Sequence, residues 1–450
     1  MSTSVLWFRR DLRLGDHPAL MRAANEGPVV ALFVLDPALR ATSGNARLAF
    51  LLASLRSLDA DLRAHGGSLT VRVGKPDSVV PEMVRESGAR SVHISADFAP
   101  YGAERDARVA ETLGTVPLVR TGSPYAVAPG RVTKEDGNPY KVFSAFYRAW
   151  RAHGWRGPAA SDPSAVDWVA ADGDGVPETP LAQIPLPEAG EQAAHRVWQK
   201  FLGSHLAHYP DVRDRPDLDH TSRLSPYLKF GAIHPRTLLA DLTPDDETFV
   251  KELAWREFYA AVLHFWPSSA HDYFQPRMAT MAYETGPDAD EMFEAWASGN
   301  TGYPIVDAGM RQLLGEGWMH NRVRMITASF LVKDLHLEWT RGARHFMHQL
   351  IDGDLASNQH GWQWVAGTGT DAAPYFRIFN PVTQGKKFDP AGDYIRRWVP
   401  ELSALEGRDI HEPWRRAAGA PSGYPPPIVE HAHERLEALA RYKSVTSSPR

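Results

Sequence analysis

The sequence contains no cysteine among its 450 residues. Disulfide bonds, thiolate metal sites and cysteine-based catalysis are therefore excluded. Also missing is any apolar stretch of the length that crosses a bilayer, and Arg9, Arg10 and Arg13 follow the first apolar residues too closely for a signal peptide. From these absences we expect a soluble, cytoplasmic protein. We also expect it to act as a monomer.

The familiar motifs for phosphate and metal binding are missing as well. RRDLRLGDHPAL, and not a glycine-rich loop, follows the first apolar run. The DGDG sequence at residues 172–175 resembles the start of a calcium loop, but the later ligands and the closing glutamate are absent. Asp352 and Asp354 flank Gly353 and suit an acid/base pair or a metal site, but no histidine or carboxylate cluster at ligand spacing completes the latter, so we predict no metal site.

The sequence does contain enough apolar material for a large core. Hydrophobic residues make up 43% of the chain, and its length suits more than one domain. The net charge of −5 argues against a general nucleic-acid coat protein but is compatible with a local basic groove. Fourteen tryptophans, most of them in the second half, indicate either a core with large aromatic residues or stacking and electron transfer there.

The first part of the chain alternates short apolar runs with amphipathic ones. The apolar runs SVLWF, VVALFVLD, LTVRV, SVHIS and VPLVR read as strands, with helices beginning near Pro18, Asn45, Pro76 and Gly102. This alternation predicts an α/β domain over residues 1–125, built on a doubly wound parallel sheet. Ligands of such sheets bind at the carboxyl ends of the strands.

The rest of the chain changes character twice. Residues 126–191 are rich in Pro, Gly, Ala and Asp, and we interpret them as an interdomain connection. Residues 192–450 carry mostly helical patterns and predict an all-helical domain. Its clearest helices are expected at Asp246–Phe265 and at Gln312–Leu337.

Chemically versatile residues concentrate between Gly317 and Pro381. Four tryptophans lie there among aspartates, arginines and asparagines. A protein core avoids the charges and a solvated surface avoids the tryptophans. The stretch therefore predicts a deep cofactor pocket with an aromatic lining and a few fixed polar groups.

Two shorter segments leave a choice of interpretation. Thr221, Ser222 and Ser225 lie together at a predicted helix start, where they suit either a phosphate or an ordinary N-cap. Glu252 and Arg256 are four residues apart on a predicted helix. They could form an intrahelical ion pair, or they could belong to a pocket.

Long motifs in the second half resemble the photolyase/cryptochrome family of FAD proteins. They are TGYPIVDAGMRQL, WMHNRVRM, IDGDLASNQHGWQW and GTGTDAAPYFRIFNP, and the opening WFRRDLRL carries the same resemblance. The likeness covers nearly the whole chain. It implies an α/β lobe that holds an antenna pigment and a helical lobe that binds FAD and DNA.

Two asparagines narrow the resemblance. Asn358 stands where plant cryptochromes have aspartate and many animal ones have cysteine, which favours a repair enzyme. Asn321 stands where enzymes for (6-4) photoproducts have a second histidine. The chain therefore resembles a class I photolyase that repairs cyclobutane pyrimidine dimers, although an ordinary loop-capping asparagine and core tryptophans are the plainer interpretations.

The resemblance implies roles for individual residues. Those implied to bind FAD are Tyr209, Thr221, Ser222, Leu224, Ser225, Glu252, Arg256, Arg324, Asp352, Asp354 and Asn358. Those implied to contact the dimer or DNA phosphates are Glu252, Trp255, Asn321, Arg322, Met325, Trp364 and Arg377. Trp362 and Trp339 match the inner members of the chain that photoreduces the flavin, and Tyr283 replaces the usual terminal tryptophan.

The antenna is implied by motifs in the first lobe. SADFAPYGAERD, ALFVLDP and NARLAF look more like deazaflavin-binding relatives than folate-binding ones. We expect 8-hydroxy-5-deazaflavin, with methenyltetrahydrofolate or an empty pocket as alternatives. The predicted contacts are Arg10, Phe33, Arg47 and Asp97.

The implied activity is light-driven repair by electron transfer from reduced, anionic FAD to a flipped-out dimer. Damaged DNA would be bound mainly through its phosphates and without regard to sequence. The alternative is a cryptochrome-like blue-light photoreceptor that signals through a protein partner. A relative that binds DNA without repairing it is a second alternative.

Overall fold

A computed structural model describes residues 2–178, 184–371 and 376–446. Residues 179–183 of the predicted connection and residues 372–375 of the GTGTDAAPYFRIFNP motif lie outside the described residues. The chain forms two compact units: the first contains Met1–Ala207, Ser222–Pro267 and Ile351–Ala356, and the second contains His208–Thr221, Ser268–Leu350 and Ser357–Arg450. The domain boundaries expected at residues 125 and 191 stay a prediction.

The first unit is built on a five-stranded parallel sheet in the order β3-β2-β1-β4-β5. All residues of β1, β2 and β4 are buried, as expected where helices cover both faces of a sheet. In the register of the sheet, Ser4 pairs with Val29 on one side and with Ser91 on the other. The predicted doubly wound sheet is confirmed. The strands are Ser4–Phe8 (β1), Val29–Leu35 (β2), Leu69–Val73 (β3), Ser91–Ile94 (β4) and Leu118–Arg120 (β5).

The α-helices begin where proline and capping residues allow. Pro18, Pro76 and Pro100 each occupy the first position of a helix, where the missing N–H has no intrahelical partner to lose. In chain order the helices are Pro18–Ala24 (α1), Pro37–Ala41 (α2), Asn45–Ala64 (α3), Pro76–Ser87 (α4), Pro100–Thr112 (α5), Phe143–His153 (α6), Glu191–Ser204 (α7), Tyr209–Val212 (α8), Ser225–Phe230 (α9), Pro235–Asp241 (α10), Glu247–Phe265 (α11), Pro287–Ser298 (α12), Pro304–Glu316 (α13), Asn321–Lys333 (α14), Trp339–Gln349 (α15), Leu355–Ala366 (α16), Pro381–Phe388 (α17), Asp393–Trp398 (α18) and His431–Thr446 (α19). In the described ranges, no helix combines the length and the apolar character needed to span a membrane.

The prediction of a single helix at Gln312–Leu337 was wrong, because the chain forms α13 and α14 there. Gly317 has a left-handed φ of 61° and ends α13, a conformation that glycine adopts without strain. His320 then caps α14, because its Nδ1 accepts a hydrogen bond from the Arg322 N–H at 3.1 Å. The apolar pattern continued across the break because Trp318 and Met319 are buried within it.

The core of the second unit surrounds α13. Most residues of α13 are buried, and α12, α14, α17 and α18 pack against it. The buried carboxylate of Asp307 accepts hydrogen bonds from the Thr301 N–H at 2.7 Å, from the Gly302 N–H at 3.0 Å and from the Tyr424 hydroxyl at 2.6 Å. These donors satisfy a charge that would otherwise be costly to bury. The conspicuous TGYPIVDAG sequence thus fixes the start of a core helix.

Candidate functional site

The sheet of the first unit has a crevice position where its strand order reverses, between β1 and β4. Ligands of open parallel sheets bind at the carboxyl ends of the strands at such a point. Arg10 lies just after β1 and Asp97 just after β4. The Arg10 Nη2 atom forms an ion pair with Asp354 Oδ2 at 2.6 Å, so an antenna candidate contacts an FAD candidate within this unit.

Lys229 belongs to the same group of charges, but the sequence patterns did not identify it as a candidate site residue. Its side chain is partly exposed by area, but protein surrounds its ammonium, and this burial lowers the pKa of Lys229 to about 7, assisted by the positive charge of Arg10. Arg47 and Asp97 also lie within electrostatic range of it. The fourth antenna candidate, Phe33, is a buried residue of β2.

Asp352 and Arg47 are both buried in this unit and interact electrostatically. Burial lowers the pKa of Arg47, and the Asp352 carboxylate opposes that change. The Arg47 Nη2 atom also donates to the Thr42 carbonyl at 3.0 Å. The cationic side chains at this edge therefore face both aspartates of the IDGD motif.

The turn before α9 has an unusual backbone. Arg223 has a left-handed φ of 51°, which is uncommon for a residue other than glycine, and Leu224 follows it in the right-handed region. An alternation of this kind points successive N–H groups toward one side and makes an anion-binding concavity. Ser222 Oγ accepts a 3.5 Å hydrogen bond from the Leu224 N–H, and Ser225 is the first residue of α9.

Thr221 is the neighbouring residue, in the second unit. Its hydroxyl oxygen is buried and finds no hydrogen-bond partner within the described ranges. A buried hydroxyl without a partner is costly, so a ligand oxygen is a natural complement. Tyr209, the other candidate in this segment, is buried with the guanidinium of Arg213 lying 5.8 Å from its ring centre.

Helix α11 presents a partly exposed tryptophan. Trp255 stacks on Phe143 of α6, with ring centres 3.7 Å apart and planes 7° from parallel. Arg256 is fixed by donating to the carbonyl oxygens of Pro124 at 2.9 Å and Leu228 at 3.2 Å. Glu252 lies one turn before it and is also partly exposed. Arg256 is thus held by backbone carbonyls.

Glu257 of α11 was also missed in the sequence. Burial raises the pKa of its carboxyl to about 7, although the Trp150 indole N–H and the backbone N–H groups of Ala126 and Val127 donate to it. Trp150 lies on α6, the helix that also carries Phe143 of the Trp255 stack. Glu257 therefore ties α11 to α6 and to the segment at Ala126 and Val127.

In the second unit, α14 carries several of the predicted contacts. The Arg322 guanidinium binds both oxygens of Asp214, at 3.2 and 2.9 Å, and lies 4.6 Å from the centre of the Phe388 ring. Met325, one turn later, has its sulfur 3.7 Å from Arg322 Nη1. Asn321 is exposed at the start of the helix. Their side chains are thus presented along one end of α14.

Arg324 lies on the same helix. Its Nε donates to the Met319 carbonyl at 2.7 Å, which holds the side chain against the turn that precedes α14. Arg377 is exposed, and with Trp364 it borders a pocket of the second unit. The pocket is lined by Lys333, Trp364, Val365, Gly367, Gly369, Thr370, Phe376, Arg377, Phe379 and Tyr442.

Asn358 has a defined orientation on α16. Its amide nitrogen donates to the Ala343 carbonyl at 3.1 Å and to Gln359 Oε1 at 2.9 Å. Both amide hydrogens are therefore used, and the amide oxygen accepts no hydrogen bond from the described part of the chain. Asn358 consequently presents an acceptor, whereas a protonated carboxylic acid would present a donor.

The two predicted electron carriers lie in one core cluster of the second unit. Trp362 is buried over Gly342 of α15, which lies one turn from Trp339 on the same helix. The Trp362 ring contacts Phe346 at 5.0 Å and Trp296 at 6.1 Å between ring centres. Trp339 is fully buried.

The aromatic neighbour of Trp339 is Tyr273, at 5.9 Å between ring centres and 88° between planes. The predicted terminal donor, Tyr283, packs against the same cluster, with no comparable ring contact to Trp339 among the described residues. Tyr273 was missed because its segment, HDYFQP, has neither helical nor strand periodicity.

Comparison with known proteins covers most of the chain. The model of the DNA photolyase family matches residues 4–164, and that of the FAD binding domain of DNA photolyase matches residues 249–444. A deoxyribodipyrimidine photo-lyase from Streptomyces griseus is 44% identical over 98% of this chain and 99% of its own length. This chain belongs to the DNA photolyase family.

Other photolyases support the same assignment. The Escherichia coli deoxyribodipyrimidine photo-lyase is 39% identical over 99% of both chains. The crystal structure of a class III photolyase from Agrobacterium tumefaciens superposes with a TM-score of 0.89 at 35% identity, covering 100% of this chain and 98% of that one. A Synechocystis cryptochrome has the same TM-score of 0.89 at 28% identity, covering 97% of this chain and 98% of that one. Photolyases and cryptochromes therefore share this fold.

Replacing Gly342 with alanine should destabilise the protein. A Cβ at this position would lie 2.1 Å from Trp362 Cη2 and 2.6 Å from Leu331 Cδ2. Overpacking costs about 1–3 kcal/mol, more than the roughly 0.5–1 kcal/mol that alanine gains in a helix interior. We expect a lower thermal midpoint, measured by circular dichroism.

The matched control is Gly203→Ala in α7, where nothing lies within 4 Å of the added Cβ. Its midpoint should not fall. An unchanged midpoint for Gly342→Ala would contradict the close packing of Trp362 against α15.

Proposed function

We propose that this protein uses FAD and blue light to repair cyclobutane pyrimidine dimers in DNA. The observation that carries the proposal is the full-length similarity to relatives named deoxyribodipyrimidine photo-lyase. Bound and reduced, FAD supplies the electron that opens the dimer. The protein binds, orients and shields the reacting groups.

Two polar atoms fit an FAD molecule. The buried Thr221 hydroxyl lacks a partner in the described ranges and suits a phosphate oxygen as acceptor. The Asn358 oxygen, whose amide nitrogen is committed to Ala343 and Gln359, suits the N–H of a reduced flavin. In our proposal Asn358 accepts this hydrogen bond and cannot protonate the flavin as a carboxylic acid would.

The other candidates complete the FAD contacts in the proposal. The turn shaped by the left-handed Arg223 offers the hydroxyls of Ser222 and Ser225 to the phosphates, and the Leu224 N–H, which donates to Ser222 Oγ, orients one of them. The remaining residues that we propose to contact FAD are Tyr209, Glu252, Arg256, Arg324, Asp352 and Asp354.

The dimer is proposed to contact aromatic and polar side chains. Trp255 is supported from behind by Phe143, which suits an indole that stacks on a flipped base. Glu252 accepts hydrogen bonds from the dimer, and Met325 and Trp364 contact its apolar parts. Asn321 is the remaining proposed contact.

DNA is proposed to be held through its phosphates. Arg377 is exposed, and Arg322 is oriented by Asp214, as suits contacts to an anionic backbone. Such binding is independent of sequence and weakens with salt. A monomer working in the cytoplasm is part of the same proposal.

A cryptochrome-like photoreceptor is the second candidate, favoured by the structural similarity to the Synechocystis cryptochrome. The deciding experiment mixes the FAD-bound, reduced protein with dimer-containing oligothymidylate and follows thymine absorbance under blue light and in darkness. Repair predicts recovery of absorbance only in light. No recovery with reduced FAD bound would favour signalling through a protein partner.

Replacing Glu252 with alanine should weaken repair while FAD stays bound. Loss of one hydrogen bond to a charged group costs about 1.5–3 kcal/mol, so affinity for the dimer should fall at least about tenfold. Affinity is measured with damaged and undamaged oligonucleotides, and repair by thymine absorbance.

The control for this variant is Glu247→Ala on the same helix, which removes a half-exposed carboxylate paired with Lys251 at 3.2 Å. It should repair like the wild type. If Glu252→Ala did so as well, the proposed contact with the dimer would be wrong.

For the antenna we propose 8-hydroxy-5-deazaflavin, with methenyltetrahydrofolate as the alternative. Arg10, Lys229 and Asp97 form a charged group beside the carboxyl ends of β1 and β4, which suits a polar, anionic chromophore. A neighbour from Sulfolobus tokodaii, described as having two FAD molecules, is 29% identical with a TM-score of 0.88 and covers 98% of this chain.

Pigment extracted from the purified protein should therefore show the absorption and fluorescence of a deazaflavin beside those of FAD. Arg10→Ala should lose that pigment more readily than FAD. A folate spectrum, or a second equivalent of FAD, would overturn the assignment.

A further inference from the structure

We infer that Tyr273, with Glu338 as its proton acceptor, is the electron donor that follows Trp339. This inference rests on the proposed photoreduction of FAD through Trp362 and Trp339. It assigns the next step to a tyrosine and a carboxylate that the sequence motifs do not single out.

The contacts of Tyr273 suit both halves of the step. Its ring lies edge-on to Trp339, with ring centres 5.9 Å apart, so an electron crosses a single aromatic contact. Its hydroxyl donates to Glu338 Oε1 at 3.1 Å. An oxidised tyrosine must release its phenolic proton, and the acceptor is already hydrogen-bonded to that proton.

Glu338 is oriented for this task by its neighbours. It is the residue directly before α15, its side chain makes no capping hydrogen bond in the described part of the chain, and Trp339 is the next residue. Its second oxygen, Oε2, accepts a 2.8 Å hydrogen bond from the Thr340 hydroxyl. Glu338 therefore presents Oε1 to Tyr273, and Thr340 acts as a positioning residue.

The segment that carries Tyr273 is clamped to α16. Gln363, the residue after Trp362, accepts a hydrogen bond from the Phe274 N–H at 2.7 Å and donates to the Asp272 carbonyl at 3.2 Å. The residues on both sides of Tyr273 are thus fixed by one side chain. This clamp gives an irregular segment the fixed position that electron transfer requires.

Tyr283 is less suited to donate to Trp339 directly. Its hydroxyl is buried beside that of Tyr273 and, within the described ranges, makes no hydrogen bond of acceptable geometry, whereas Tyr273 is hydrogen-bonded to a carboxylate. Burial raises the pKa of both hydroxyls and the Glu338 carboxylate raises both further, so each tyrosine holds its proton until it is oxidised and needs an acceptor at that moment.

The step balances in electrons and protons. Bound FAD, oxidised and excited by light, would supply the oxidising power, and loss of one electron by way of Trp362 would make Trp339 a radical cation. One electron then passes from Tyr273 to Trp339, and the phenolic proton passes to the Glu338 carboxylate. The products are neutral Trp339, a neutral tyrosyl radical and protonated Glu338, and an added thiol returns the radical to tyrosine.

The test is flash photolysis of the FAD-bound protein with oxidised flavin, following the absorption of tryptophan and tyrosyl radicals and the electron paramagnetic resonance of the longer-lived radical. In the wild type the tryptophan radical should convert into a tyrosyl radical, more slowly in D₂O. In Tyr273→Phe this conversion should be lost. Thermal midpoint and FAD content of each variant report on folding.

Further variants separate proton transfer from packing. Glu338→Gln should slow the conversion while keeping a hydrogen-bonding side chain, and Glu338→Asp should restore part of it. Tyr147→Phe, which removes a 3.4 Å hydrogen bond to Glu247, is the matched control and should behave as the wild type.

The failures can be told apart. If the wild type forms no tryptophan radical, the proposed chain through Trp362 and Trp339 is wrong. If the radical forms and Tyr273→Phe converts it as the wild type does, only the assignment of Tyr273 is wrong. Loss of conversion in Tyr283→Phe but not in Tyr273→Phe would transfer the role to Tyr283.

Discussion

The ion pair between Arg10 and Asp354 is the interaction on which the architecture of the first unit depends. It joins the loop after β1 to a turn 344 residues later in the chain. The contact is partly buried, and charges shielded from water need partners, because removing one partner leaves the other charge uncompensated. Lys229, Arg47 and Asp97 extend the pair into a network in which neither sign stands alone.

This network also explains why charged side chains lie beside an apolar sheet. The interior of β1, β2 and β4 is fully buried, and the charges begin only where those strands end. A parallel sheet leaves its carboxyl edge open to loops, so the loops supply the polar groups that the strands cannot. The charges at this edge thus lie where open parallel sheets bind their ligands.

In the second unit, a different constraint positions the aromatic residues. Gly342 lets Trp362 approach the backbone of α15, and Gln363 holds the irregular segment around Tyr273. Close packing against Gly342 fixes the Trp362 ring. Tyr273 is fixed differently, because Gln363 forms hydrogen bonds with the backbone groups of the residues on either side of it. Both α15 and the irregular segment around Tyr273 are therefore positioned by residues of α16, namely Trp362 and Gln363.

The sequence alone determined the sheet and the helices that begin near Pro18, Asn45, Pro76 and Gly102. Strands buried on both faces are continuous apolar runs, and proline at the start of a helix marks its first turn, so both have distinctive patterns. Motif resemblance also named the candidate residues, including Asn358 and Trp255. The apolar pattern made a wrong prediction at Gly317. It continued across this residue, although the left-handed conformation of Gly317 ends the helix there.

Only the tertiary structure decided which side chains meet. It paired Arg10 with Asp354, used both amide hydrogens of Asn358, and placed Tyr273 against Trp339. Contacts of this kind join residues far apart in sequence or in segments without periodicity, and local patterns hold no information about them. The sequence therefore determined the elements and the chemical groups available, and packing decided which groups act together.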